Sequence, residues 1–366
     1  MVERDLDSVV ASLRELTARM TSERREADRR AGLAPRDGEE RRGVERRAGT
    51  GERRDPGERP GPGPGPDTPA APLSAGRQAA LQRLMAAVEA NFGIRPSPAV
   101  ERKLERALRP LTDDALGQWV EGLLALPASH SEWTSCVESL TVHETYFNRD
   151  KEMLATLKHQ VLFGLIEHKR ERGGGRIRIW SAGCSTGEET YSVTMLLLES
   201  LREVGLARLG AFGDLEVVPP WNIEVLGTDL SGQAIRAARH ATYADFGLGS
   251  FRDLGATERR YFEPAPHPGG VRQTEHYRVL ECVRRFVRFE RHNLVLDAPP
   301  LRDVDLVLCR NVLIYFDDPV KRRVQASLAD ALAPRGVLVM GGVDVLLVAD
   351  RFDQNVGSGG TWYVKR

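Results

Sequence analysis

The sequence predicts an α/β fold in which an all-helical domain precedes a mostly parallel sheet with a small antiparallel insertion. Strand and helix patterns alternate over residues 176–366, and repeated βα units give a parallel sheet with helices on both faces. Apolar residues recur at helical spacing over residues 77–140. Ligands of such a sheet lie beyond the carboxyl ends of its strands, so polar residues at those ends are the candidate site residues.

The composition favours a soluble, cytoplasmic chain without a nucleic-acid partner or a membrane-inserted segment. Lys and Arg total 52 and Asp and Glu total 52, so no net charge points to nucleic acid. No apolar run reaches the ~20 residues of a membrane span, and the charged N-terminus lacks the apolar core of a signal peptide. Four scattered cysteines without a CxxC pair argue against a metal site such as zinc.

The first 76 residues are expected to lie outside any packed core. Residues 1–31 form a possible amphipathic helix, which is either a docking or dimerising helix or a frayed tail. Residues 32–76 are predicted to be a disordered Arg/Glu/Gly/Pro linker. Because 15 Arg are balanced by 15 Asp and Glu over residues 1–76, a solvated linker is favoured over an RNA- or lipid-binding segment. This extension is a candidate site for a partner.

Residues 77–140 are predicted to form a bundle of about four helices, and residues 141–175 a connecting motif with a linker helix. The second helix, AVERKLERAL, carries basic residues that form either a solvated face or a substrate-docking face: Arg102, Lys103, Arg106 and Arg109. In residues 176–366 the predicted strands are residues 222–229, 303–309, 336–340 and 361–365, besides the one that begins at Arg176. Period-2 runs such as HYRVLECV and RFVRFER predict the antiparallel subdomain at about 243–289.

The stretch RIRIWSAGCSTGEETYSV, residues 176–193, carries the first chemical signal. A buried strand leads into a turn of small residues and then into a helix that begins with Glu188 and Glu189. Glycines let the backbone approach a ligand closely, but a pyrophosphate favours free N–H groups without carboxylates. Only Gly183 and Gly187 are present, so the GxGxxG pattern is absent. The turn therefore favours S-adenosylmethionine over NAD.

Polar residues follow several of the predicted strands. Asp229 ends one strand and suits ribose hydroxyls, although it could instead cap the helix after Ser231. Asn293 and Leu294 could position an adenine edge, or form an ordinary turn. Further candidates are the pair Arg310 and Asn311, and Tyr315 in the apolar run that follows. The dense polar segment TVHETYFNRD, residues 141–150, is either a site segment or a capping box.

Together these motifs resemble the chemotaxis receptor glutamate methyltransferases (CheR-type). The resemblance rests on TVHETYFNRD, IWSAGCSTGEETYS, VLGTDLS, RHNL and CRNVLIYF in this order, and it covers residues 78–366. It implies a Rossmann-like S-adenosylmethionine methyltransferase sheet and methylation of glutamates on receptor cytoplasmic signalling helices, with S-adenosylhomocysteine as the product. The protein is expected to act as a monomer.

By this resemblance, the cofactor-binding residues are His143, Thr145, Arg149, Gly183, Glu188, Asp229, Asn293, Leu294, Arg310 and Asn311. Arg149 and Tyr315 match the residues assigned to the reaction centre. A carboxylate is already a nucleophile, so the reaction needs orientation rather than a dedicated base. Arg149 can orient either the carboxylate or the cofactor, and pairing with an arginine lowers the nucleophilicity of a carboxylate.

Three positions depart from the family pattern. Thr190 stands where relatives have Pro, Asn148 where they have a second Phe, and GGVDV at 341–345 where they read GHSE. These departures leave open an alternative function, a catalytically weak cofactor-binding signalling adaptor. A methyltransferase of small molecules is a further alternative, which the helical domain and the insertion disfavour because they suit a large substrate.

Overall fold

The computed structural model describes residues 73–138, 140, 144–209, 215–247, 249–266 and 275–366. The amphipathic helix and most of the linker predicted for the first 76 residues fall outside these ranges. Among the described helices, none is both long enough and apolar enough to cross a membrane.

The first part of the described chain is helical, and each of its first three helices begins at a hydroxyl cap. Its helices are α1 (Ala75–Phe92), α2 (Pro98–Leu108), α3 (Asp113–Leu124) and α4 (Ser131–Glu138). The side chains of Ser74, Ser97 and Thr112 each accept a hydrogen bond from the N–H three residues later. Their apolar faces form one core that includes Leu84, Leu104 and Trp133.

A connecting helix leads into the sheet. It runs as α5 (Lys151–Thr156), a π-helical turn (Leu157–Leu162) and α6 (Phe163–Glu171). The remaining helices are α7 (Glu188–Glu203), α8 (Gly232–His240), α9 (Ala256–Arg259), α10 (Glu281–Arg284) and α11 (Asp318–Ala331).

The main sheet has seven strands among the described residues, five of them parallel. In chain order, with the short pair β2–β3 and the insertion strands included, the strands are β1 (Arg176–Ala182), β2 (Ala207–Leu209), β3 (Leu215–Val217), β4 (Asn222–Asp229), β5 (Thr242–Asp245), β6 (Phe262–Ala265), β7 (Glu275–Val279), β8 (Val287–Arg291), β9 (Val304–Cys309), β10 (Leu332–Met340), β11 (Phe352–Gly357) and β12 (Gly360–Lys365). The order in the main sheet is β11-β12-β10-β9-β1-β4-β8. Strands β10, β9, β1, β4 and β8 run parallel, and the β11–β12 hairpin adds antiparallel strands at one edge. The predicted α/β class is confirmed.

The antiparallel insertion is a three-stranded sheet in the order β5-β7-β6. It contains HYRV of the predicted period-2 runs, but RFVRFER was wrongly placed in it. That segment contains β8, which pairs in parallel with β4 at the edge of the main sheet. An edge strand is partly exposed and therefore alternates like a strand of an antiparallel sheet, so periodicity alone could not separate the two.

The helical domain packs against the carboxyl-terminal edge of the parallel strands through hydrogen bonds as well as apolar contacts. Glu138 at the end of α4 accepts hydrogen bonds from the Ser231 hydroxyl (3.1 Å) and the Gln233 N–H (2.8 Å) at the start of α8. Asn293 Nδ2 donates to the carbonyl of Asn91 at the end of α1 (2.9 Å). These contacts close one side of a cleft above the strand ends.

Candidate functional site

A cavity of about 530 Å³ lies between the helical domain and the carboxyl ends of the parallel strands. Nine of the eleven predicted site residues line it: Thr145, Arg149, Gly183, Asp229, Asn293, Leu294, Arg310, Asn311 and Tyr315. They come from the segment before α5 and from the ends of β1, β4, β8 and β9. Of the other two, His143 lies outside the described residues, and Glu188 does not line the cavity.

The turn after β1 has little hydrogen-bonding capacity left for a phosphate. The N–H groups of Gly183 and Cys184 both donate to the carbonyl of Thr228 at 2.8 Å. The N–H of Ser185 donates to Asp229 Oδ2 (2.8 Å), and that of Gly187 to the carbonyl of Cys184 (3.0 Å). Because these four donors are bonded within the protein, the turn is not an anion-binding nest. Gly183 has φ 83°, and a methyl group there would lie 2.2 Å from Val312 Cγ2.

The carboxylate that faces the cavity is that of Glu189 rather than that of Glu188. Glu188 is buried and accepts hydrogen bonds from the hydroxyls of Thr186 (2.6 Å) and Ser250 (2.8 Å), which join the turn to the insertion. Burial raises the pKa of Glu188, and the two hydroxyls lower it. Glu189 lines the cavity and accepts a hydrogen bond from Ser181 Oγ (2.8 Å). Of these partners, Ser250 lies 62 residues from Glu188 along the chain, so the orientation of the adjacent glutamates was not visible in the local sequence.

Arg310 is a buried cation that joins the two sides of the site. Its Nη1 donates to Glu189 Oε2 (3.1 Å), and its Nη2 donates to the carbonyl of Arg149 (3.1 Å) and to Asp150 Oδ2 (3.2 Å). Its side chain is 3% exposed, and its Nε has no hydrogen-bond partner among the described residues. Arg310 therefore fixes Glu189 against the segment that carries Arg149.

The helix-cap alternative for Asp229 is not what the structure has. The cap of α8 is Ser231, whose hydroxyl accepts the N–H of Ala234 (3.0 Å). Asp229 instead lines the cavity, and its two carboxylate oxygens accept the N–H groups of Ser185 (2.8 Å) and Ser231 (2.9 Å). Each carboxylate oxygen has a second lone pair, which leaves Asp229 able to accept from hydroxyl groups.

Asn293 forms a turn and a domain contact at once. Its side-chain oxygen accepts the N–H of Val295 (2.9 Å), and its amide nitrogen donates to Asn91. Asn293 is therefore a turn residue, as one of the two predictions had it, and it also lies in the cavity wall. Each polar atom of its side-chain amide therefore has one partner within the protein.

The segment before α5 is not a capping box. Asp150 is the first flanking residue of α5, but its side chain makes no cap hydrogen bond and pairs with Arg310 instead. Phe147 is buried against Tyr243, Phe251 and Phe262 of the insertion, with ring centroids 4.9–5.4 Å apart. This packing anchors the segment and leaves Arg149 in the cavity wall.

The residues on both sides of Arg149 have left-handed backbone conformations. Asn148 has φ 58° and Asp150 has φ 67°, on either side of Arg149. Asn adopts this conformation more readily than Phe, so the departure at Asn148 fits the local backbone. Asn311 across the cavity has φ 60°. Such conformations persist where surrounding contacts hold them, and they are frequent at functional sites.

Arg149 and Tyr315 lie near each other in the cavity wall. Arg149 Nη1 donates to the carbonyl of Glu144 (2.7 Å), which fixes the direction of its guanidinium. Burial raises the pKa of the Tyr315 hydroxyl, the Arg149 cation lowers it, and Glu144 raises it. The phenol is therefore a neutral hydrogen-bond donor at physiological pH.

His292 and Arg95 line the cavity but were not singled out from the sequence, and Lys103 was named there only as part of the basic set on α2. His292 lies in the RHNL motif but was passed over in favour of its neighbours, and burial lowers the pKa of its imidazole. Lys103 turns inward from the basic helix, and its Nζ donates to the carbonyl of Leu140 (3.2 Å). Arg95 follows α1 in a loop without a motif. Only the fold shows that these residues share one cavity.

The residues present fit S-adenosylmethionine. The carboxylates of Glu189 and Asp229 suit an ammonium group and ribose hydroxyls, and apolar wall residues such as Leu230, Leu294 and Val312 suit a planar base. The bonded N–H groups of the turn disfavour a pyrophosphate. Burial raises the pKa of the Cys184 thiol well above its usual value, so the cavity offers no thiolate nucleophile there.

Comparisons with known proteins show which family this chain resembles. The family model described as CheR methyltransferase, SAM binding domain, matches residues 143–360. Chemotaxis protein methyltransferase 1 of Pseudomonas aeruginosa is 32% identical over 248 residues, which cover 68% of this chain and 81% of that protein. Chemotaxis protein methyltransferase 2 of Vibrio cholerae is 33% identical over 221 residues, which cover 60% of this chain and 67% of that protein.

Proposed function

The chain belongs to the CheR methyltransferase family, and on that premise we propose that it is a protein-glutamate O-methyltransferase acting on receptor cytoplasmic signalling helices. The observation that carries the proposal is the cavity, whose wall contains the two carboxylates of Glu189 and Asp229 together with Arg149 and Tyr315. Residues for cofactor and acceptor thus meet at one place. The proposal places the protein in the cytoplasm, where those helices lie.

The cofactor of this family is S-adenosylmethionine, which supplies a methyl group on a sulfonium when bound. We propose that Glu189 and Asp229 bind its ammonium and ribose groups, and that Leu294 and the backbone around Asn293 contact its base. Arg310 and Asn311 shape the wall between them. The proposed cofactor site also includes Thr145, Gly183 and Arg149. Glu188 does not line the cavity but stabilises the turn through its hydrogen bonds with Thr186 and Ser250.

The residues of the chain supply orientation rather than proton transfer. A glutamate carboxylate is already a nucleophile at neutral pH, so the site needs no general base. The Arg149 guanidinium and the neutral Tyr315 hydroxyl are donors that can hold a carboxylate, and their directions are set by Glu144 and by the turn that carries Tyr315. The helical domain closes one side of the cleft above the strand ends and so shields the site from part of the solvent.

The test is transfer of labelled methyl from S-adenosylmethionine to purified cytoplasmic signalling fragments of receptors from the same cell. Base-labile label on the fragment identifies a carboxyl methyl ester. Arg149→Ala should lower turnover at least about a hundredfold, since it removes an orienting cation from the site. Arg208→Ala is the matched control, because that arginine is 74% exposed and pairs with Glu216 at 3.3 Å.

Three results separate the alternatives. Label that depends on Arg149 supports the proposed methyltransferase. A wild-type chain that binds S-adenosylhomocysteine but labels none of the fragments supports the signalling adaptor instead. Normal turnover of Arg149→Ala contradicts the role given to Arg149. The monomeric state and a partner for residues 1–76 stay predictions, which sedimentation of the full chain and of a form lacking those residues would test.

A further inference from the structure

We propose that an apolar rim beside the cavity, formed by Ile314, Val343 and Val345, binds apolar side chains that flank the methyl-accepting glutamate of the protein substrate. This inference rests on the proposed function, since it assigns a substrate contact for the same reaction. It gives the GGVDV departure at residues 341–345 a role in substrate choice.

The rim residues have apolar side chains that are exposed to solvent. Val343 is 75% exposed, Val345 is 67% exposed and Ile314 is 44% exposed. Ile314 also lines the cavity, so this part of the rim belongs to the cavity wall. One exposed apolar residue is ordinary, but several beside the opening of one cavity indicate a binding surface.

The segments that carry the three rim residues follow two neighbouring strands, β9 and β10. Met340 at the end of β10 pairs with Cys309 at the end of β9. A methyl group added to Gly341 would lie 3.0 Å from the backbone nitrogen of Asn311. A chain spans at most about 3.6 Å per residue, so Val343 lies within ~7 Å of Gly341 and Ile314 within ~11 Å of Asn311. One substrate segment can therefore cover the whole rim.

The loop that carries the two valines is fixed by the buried side chain of Gln325. Its Nε2 donates to the carbonyl of Val345 (2.8 Å), and its Oε1 accepts the N–H of Leu347 (2.7 Å). The carboxylate of Asp344 turns back to accept the N–H of Gly341 (3.1 Å), and the N–H of Asp344 donates to the Gly341 carbonyl (2.9 Å). Because these hydrogen bonds fix the backbone of the loop, Val343 and Val345 stay exposed and do not pack against the core.

The chemistry of the rim and of the cavity together identifies the occupant. Arg95, Lys103 and Arg149 place cationic groups in the cavity wall, which suits a carboxylate. Ile314 and the two valines are apolar, and the carboxylate of Asp344 between the valines accepts the N–H of Gly341 in its own loop. A small carboxylic acid would bind inside the cavity and leave the rim in water. A protein segment with apolar residues beside its glutamate covers both surfaces.

The experiment compares the double variant Val343→Ser/Val345→Ser with Val356→Ser. Val356 is the matched control, since it is 73% exposed and lies on β11, two strands away from β10. Calorimetric titration measures binding of a receptor cytoplasmic signalling fragment to each chain saturated with S-adenosylhomocysteine. The double variant should bind the fragment about tenfold more weakly, because two valines no longer leave water on binding. The control and the affinity for S-adenosylhomocysteine should not change.

Equal fragment affinity in the wild type and the double variant would overturn the inference. The inference would also be overturned if the double variant lost affinity for S-adenosylhomocysteine by the same factor as for the fragment. The valines would then act through the shape of the cofactor site. If the wild type binds the fragment but transfers no methyl, the proposed function fails while the affinity comparison still decides the rim. A wild-type chain that binds no fragment overturns both.

Discussion

The backbone N–H of Arg95 donates a hydrogen bond to the carbonyl of Tyr315 over 3.2 Å. Arg95 follows the first helix of the helical domain, and Tyr315 lies in a 3₁₀ turn after the central strand β9. Gly93 packs against the ring of Phe316 beside this bond. The helical domain therefore holds the turn that carries a proposed reaction-centre residue, and it does more than cover the cavity.

Replacing Gly93 should disturb that turn. Gly93 has φ 70°, and an added methyl group would lie 2.8 Å from Phe316 Cδ1. Gly93→Ala should lower the free energy of unfolding by about 1–3 kcal/mol through backbone strain and reduce kcat several-fold as Phe316 moves. Gly117→Ala in α3 is the control, because it has open space and should stabilise its helix by up to ~1 kcal/mol. Urea denaturation measures the free energy of unfolding, and methyl transfer measures kcat. An unchanged kcat in Gly93→Ala would contradict the coupling between Gly93 and the turn that carries Tyr315.

Replacing Glu188 and replacing Glu189 should have different effects on the affinity for S-adenosylhomocysteine. Glu189→Gln removes the charge that faces the cavity and should weaken S-adenosylhomocysteine binding about tenfold or more. Glu188→Gln should leave the affinity within about twofold, because that side chain bonds Thr186 and Ser250 instead. Calorimetric titration of both variants decides the assignment. A larger loss in Glu188→Gln would return the cofactor contact to Glu188.

The buried carboxyl of Glu188 should make stability depend on pH. Burial raises its folded-state pKa above the usual 4.5, so its contribution to stability is fully present below pH 4.5 and is lost as pH rises through the folded pKa. Glu188→Gln has no such titration. The variant should therefore gain stability relative to the wild type as pH rises from 4 to 7, measured as the difference in Tm. A difference that is constant over this range would show that the carboxyl does not titrate there.

Removing the Arg310 cation should destabilise the protein strongly. Arg310→Ala leaves Glu189 without its cation, and breaking a buried pair costs about 3–5 kcal/mol. Arg310→Lys keeps the charge but loses the fork that reaches Glu189 and Asp150 together, so its loss should be intermediate. Arg366→Ala breaks a pair whose arginine is 56% exposed and should cost at most about 1 kcal/mol. Equal Tm values for Arg310→Ala and Arg366→Ala would contradict the bridging role of Arg310.

Local pattern determined much of the fold and most of the site. The buried strand Val304–Cys309 is apolar along nearly its whole length, and Ser231 precedes α8 as a helix cap, so both were recognisable. Because the carboxyl ends of parallel strands meet at one edge, Asp229, Asn293 and Arg310 were expected together, and they do line one cavity. These features depend on neighbours in sequence or on the general geometry of parallel sheets.

Tertiary structure decided the features that depend on contacts between distant segments. Glu188 and Glu189 are chemically identical, and their partners separate their roles: Arg310 and Ser181 bond Glu189, while Thr186 and Ser250 bond Glu188. The strand at Val287–Arg291 alternates like an insertion strand, and pairing with β4 places it in the main sheet. By itself, the sequence determined which residue types stand at the strand ends. The side chain that faces the cavity is set by packing and by hydrogen bonds with residues that lie 62 and 121 positions away, Ser250 and Arg310.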